Sequence, residues 1–138
     1  MTSNIIFPLN PTEDPSSPYY LHPSDHAGLR IISETLTGEN FNAWKKSVTM
    51  AFSVKNKMGF LVASIAQPKS EDSVAYSVWY RINALILSWL IYSISPEICS
   101  TFLYFTSTKD LWDEIHLCYG KSDGPPCFAS KNPLGNIP

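Results

Sequence analysis

The run from Val78 to Ile94, VWYRINALILSWLIYSI, constrains this chain more than any other stretch. Arg81 and Asn83 interrupt it only near its start, and beyond Ala84 its only polar groups besides the Trp89 indole N–H are those of Ser88, Tyr92 and Ser93. No clean period of 2 or 3.6 emerges, because almost every face is apolar. A helix of that kind is enclosed by protein on all sides or spans a membrane. A span needs about 20 predominantly apolar residues; this run offers roughly half of that beyond Asn83, and Arg81 would fall inside it. A fully buried strand is the other rival, but strands rarely exceed about 10 residues. The run therefore predicts a central helix caged by amphipathic neighbours in a small helical domain.

A length of 138 residues suits one domain with a real core and no need of staples. The net charge of −2 argues against a dedicated high-affinity nucleic-acid binder, since phosphate contact needs clustered Lys and Arg. Cys99, Cys118 and Cys127 are odd in number and widely spaced, which is no disulfide framework and points to free thiols in a reducing compartment. The opening MTSNIIFPLNP lacks the basic start and long apolar run of a signal peptide, so the expected location is cytoplasmic.

Around the central helix the chain divides into three. Residues 1–24 carry Pro8, Pro11, Pro15, Pro18 and Pro23 and form an extended arm, whose aromatic end at Tyr19 to Leu21 is able to dock on the body. Residues 25–120 form the helical domain. After an extended piece around Ile31 and Ile32, Asn40 is the N-cap candidate of a first helix with Phe41, Trp44, Val48, Ala51 and Phe52 on one face. Gly59 breaks that helix. The central helix begins near Val74. Ser95-Pro96 restarts a short helix with Ile98, Phe102 and Leu103 as inward candidates. Ser107 caps a last helix striped by Leu111, Trp112, Ile115 and Tyr119, and Gly120 ends it. Residues 121–138 are an irregular tail. The fold class expected is all-α, a bundle of four to five helices around one apolar helix.

Chemistry-bearing patterns are scarce. His22, Asp25 and His26 have metal-ligand types at i, i+4 spacing, but Pro23 disfavours the helix that would align them. His116 lies two residues from Cys118 without an orienting partner for a nucleophile pair. No CxxC, phosphate-binding glycine loop or nucleophile elbow occurs. The expectation is a non-enzyme with no catalytic residues, no metal, no cofactor and no small-molecule substrate. Trp44, Trp79, Trp89 and Trp112 are read as core anchors. Lys45, Lys46, Lys55 and Lys57 crowd one helix and its end, the single candidate nucleic-acid patch; the plainer reading is that they solvate its outer face.

The order of short motifs carries more. Pro18-Tyr19-Tyr20-Leu21-His22-Pro23-Ser24-Asp25 is followed by Gly28-Leu29, Leu36-Thr37-Gly38-Glu39-Asn40-Phe41, Trp44, Lys55-Asn56-Lys57, Gly59-Phe60 and Ser64-Ile65. Trp79, Asn83, Trp89-Leu90, Ser93-Ile94-Ser95, Ile98, Leu111-Trp112 and Tyr119 continue it. This succession resembles the N-terminal Gag region of copia-type LTR retrotransposons, those of plants above all, from about Pro18 to Phe128. The resemblance implies a structural module that self-associates into a capsid-like particle, with other Gag-like chains as partners, RNA as a weak one, and no membrane. The sequence departs from the pattern after Gly124-Pro125 and has no Cys/His zinc knuckle, which reads as a Gag fragment. A host-retained, Gag-derived adaptor is the alternative function, and a weak RNA-binding module the third.

Overall fold

The computed structural model describes residues 11–71 and 73–120. Residues 1–10 of the expected arm and all of the expected 121–138 tail lie outside the described residues. The chain is helical: α1 Phe41–Val54, α2 Met58–Leu61, α3 Val74–Tyr92, α4 Pro96–Cys99, a 3-10 turn Ser100–Phe102, and α5 Thr108–Tyr119. Among the described residues there is no strand, only one isolated bridge between Leu36 and Ile94.

α3 is the centre of the core, as its apolarity predicts, but it is not sheathed all round. Trp79, Ile82, Asn83, Ile86, Trp89 and Leu90 are buried along one face, while Tyr80 and Tyr92 are more than half exposed. By length and composition α3 is able to cross a membrane, and its buried face supplies the middle of the core. Ser73 caps it, its Oγ accepting from the Tyr76 N–H at 3.0 Å. Ser73→Ala leaves that amide without its partner and is expected to cost about 1 kcal/mol of stability, measured by urea denaturation.

α1 buries Phe41, Trp44, Val48 and Phe52, and its Trp44 ring meets Trp112 of α5 at 5.9 Å. Two local expectations fail here. Asn40 occupies the N-cap position but does not cap with its side chain. Its Oδ1 accepts instead from the backbone and hydroxyl of Thr37, and its Nδ2 donates to Thr35 O. The carboxamide thus builds the turn before the helix, a turn that includes Gly38 at φ 100°. At the other end Gly59 does not break the helix; it lies inside α2. The break falls at Asn56, with φ 59°. The Asn56 N–H donates to Ser53 O and the Lys57 N–H to Phe52 O, the paired bonds of a Schellman ending with asparagine in the left-handed position. That turn reverses the chain and aims Lys57 inward.

The segment before α1 is stitched across the end of α3. Leu36 N–H donates to Ser93 O and Ser95 N–H to Leu36 O; Trp44 Nε1 donates to the same Ser93 O at 2.9 Å. Leu36 and Ile94 are consequently buried. Ser95 and Pro96 open α4 as the sequence predicts, but Leu103 points outward while Phe102 is buried. α5 is fixed to α3 by Asn83: its Nδ2 donates to Thr106 O at 2.8 Å, and its Oδ1 accepts from Thr108 N–H at 3.0 Å. Thr108 Oγ1 returns a bond to Asn83 O. Gly120 follows α5 with an ordinary φ of −79°; glycine is needed there for space, since a Cβ would lie 2.4 Å from His116 O.

Candidate interaction surface

The four lysines expected as one patch separate into two pairs. Lys45 and Lys46 are exposed on the outer face of α1. Lys55 and Lys57, beyond the end of that helix, turn toward residues 19–27 instead. Lys55 Nζ lies 2.8 Å from Asp25 Oδ1 and 5.5 Å from the centre of the Trp89 ring. Lys57 is 1% exposed and donates to Tyr20 O at 2.7 Å. Burial lowers its pKa to about 8 from the usual 10.5; neighbouring Asp25 works against that shift and Lys55 adds to it.

These two cations belong to a set of side chains that fasten the N-terminal segment down. Trp89 Nε1 donates to His26 O at 2.8 Å, and Ser88 Oγ donates to Ala27 O at 3.0 Å. The Tyr19 ring meets Phe60 edge-on at 5.7 Å, and Tyr19 and Leu21 pack on the core. Three of these contacts read main-chain carbonyls, so sequence patterns give no direct signal for them. Asp25 is the exception. Its Oδ2 also accepts from the His22 N–H, and its side chain is 4% exposed. A buried acid opposite a basic partner is legible only once the fold has closed the 30-residue gap between Asp25 and Lys55.

His22, Asp25 and His26 do not converge on a metal. Asp25 is committed to Lys55, and the His22 ring lies 2.8 Å from Ser24 Oγ. Among the described residues no group of three or more His, Cys, Asp or Glu is placed to hold an ion. His116 sits against the Phe41 and Trp112 rings and bonds Trp112 O through Nδ1. Cys99 is a free, half-buried thiol, whereas Cys118 takes part in a disulfide, which departs from the expectation of free thiols throughout. Trp44, Trp79, Trp89 and Trp112 are all buried. Trp44 and Trp89 donate their indole N–H groups to the Ser93 and His26 carbonyls, while that of Trp79 has no partner among the described residues.

What the surface does offer is apolar. Val54 is 86% exposed and Met50 59%, both on the outer side of α1. Beside them lie two neighbouring clefts of about 430 and 410 Å³, which share Ile31, Ala51 and Val54. One is extended by Leu29 and Arg30, the other by Ser33 and Met50. The floor is α1 and the rim is the irregular segment that runs from the fastened arm to Leu36. Such a groove binds by shape and burial; it holds no acid–base pair and no convergent donors for a reacting group.

Residues 22–69 match the family described as the Gag-polypeptide of LTR copia-type. The match takes in Asp25, the rim of the groove, α1, α2 and all four lysines. It spans roughly a third of the chain, a narrower stretch than the resemblance read from the sequence, and it stops before α3. No curated protein and no solved structure matches the chain. The matched segment thus carries Asp25, Lys55, Lys57 and the exposed groove, while Trp89 of α3 and Trp112 of α5 pack against its Phe52 and Trp44.

Proposed function

We propose that this chain is a non-catalytic Gag-type structural module whose work is association with copies of itself or with other Gag chains. The observation that carries this reading is the copia-type Gag match over residues 22–69. The surface agrees with it: Met50 and Val54 stand exposed on α1 beside the groove that Ile31 and Ala51 line, an apolar strip suited to a repeated protein contact. RNA is the weaker partner in this reading, because Lys55 and Lys57 are occupied and only Lys45 and Lys46 remain free on α1.

Sedimentation velocity over a series from low micromolar to near-millimolar protein tests it. The weight-average mass is expected to climb above the 15.5 kDa of one chain as concentration rises. A constant single-chain mass across the series removes the proposal.

A further inference from the structure

The rim of the groove has an unspent capacity for hydrogen bonding. No main-chain N–H or C=O group of Arg30, Ile31, Ile32, Ser33 or Glu34 has a partner among the described residues. The stretch is irregular, with a bend at Ser33 and Glu34, and Ile32 anchors it to the core. A row of backbone groups without hydrogen-bond partners among the described residues, beside exposed apolar side chains, is the arrangement that recruits an added strand. Arg30 and Glu34 mark its two ends, and neither makes an ion pair among the described residues.

We propose that residues 30–34 pair antiparallel with the same residues of a second copy, about a two-fold axis at Ile32. This deepens the self-association reading and rests on it. The charges select both the occupant and the direction. Antiparallel pairing centred on Ile32 sets Arg30 of each copy opposite Glu34 of the other, two complementary pairs in one isologous contact. Parallel in-register pairing would set Arg30 against Arg30 and Glu34 against Glu34, which is repulsive. Pairing straightens the bend at Ser33 and Glu34, which no hydrogen bond among the described residues resists. It also brings Ile31, Met50 and Val54 of the two copies toward one another and covers the groove.

Charge reversal in the full chain tests this, read by sedimentation velocity, with circular dichroism confirming that each variant is folded. Arg30→Glu and Glu34→Arg each place like charges opposite one another twice. Each is expected to weaken self-association about tenfold. The double variant Arg30→Glu/Glu34→Arg restores opposite pairs and is expected to recover the original affinity. Val54→Asp, on the apolar side of the same contact, is expected to weaken it as well. Self-association that is indifferent to all four variants overturns the pairing edge and leaves the Gag-type reading standing. Single variants that weaken association without rescue in the double overturn the antiparallel register. A chain that does not self-associate at all removes both.

Discussion

Between pH 8 and pH 10 this protein is expected to gain stability, and Lys57→Met is expected to abolish the gain. The folded-state amine of Lys57 releases its proton near pH 8, whereas in the unfolded chain it does so near its ordinary 10.5. Within that window the unfolded chain binds one more proton than the folded one, and stability rises with pH wherever that is so. Two pH units correspond to roughly 2 to 3 kcal/mol. Below pH 8 both states hold the proton, the full cost of burying the charge is present, and the slope from this group vanishes. Tyr19 and Tyr119 work in the opposite sense at the top of the range. Burial raises both above 10.0, so their contribution is lost as pH climbs past 10, and the comparison is best made below that. Urea denaturation at half-unit intervals gives the slope directly. A wild-type profile as flat as that of Lys57→Met would show that the amine does not meet the low dielectric its burial implies.

The second large effect is expected at Asn83. Replacing it by leucine keeps most of the volume but removes the acceptor for Thr108 N–H and the donor for Thr106 O. Thr108 is fully buried, so water cannot take the place of the lost partner. Leaving a buried backbone donor unpaired costs about 1 to 3 kcal/mol, and the lost carbonyl contact adds to it; a total of about 3 kcal/mol is expected. The damage has a location. Thr108 opens α5, so hydrogen exchange there should accelerate more than in α1, whose contacts are untouched. A loss below about 0.5 kcal/mol, or acceleration spread evenly over the helices, would mean that apolar packing alone holds α5 against α3.

Both effects arise from residues whose sequence context says little about them. Asn83 is simply a polar interruption in an apolar run until α5 folds back 25 residues later. Lys57 has the composition of a solvated helix end until the Schellman turn at Asn56 rotates it inward. That turn had a sequence signal, asparagine just past the last apolar position of α1. Gly59, the stronger breaker by propensity, sits three residues further on and draws attention away from it. The Asn40 side chain is a similar case: a good cap by type, but one whose acceptor was already taken by Thr37. Local preference counts the groups a residue can satisfy; it does not say which neighbour arrives first.

The amino-acid sequence by itself determined that this chain is helical, that the run containing Ile86 and Leu90 lies at its centre, and where most helices begin. Those properties follow from periodicity, capping and burial, which act over a few residues. Tertiary structure alone decided that Tyr80 and Tyr92 of α3 face outward, that Lys55 and Lys57 hold residues 19–27 while Lys45 and Lys46 stay exposed, and that among the described residues the backbone of 30–34 finds no partner beside an apolar groove. Each of these depends on contacts between residues far apart in the chain. A charge or a main-chain carbonyl has no fixed role until the fold determines what faces it.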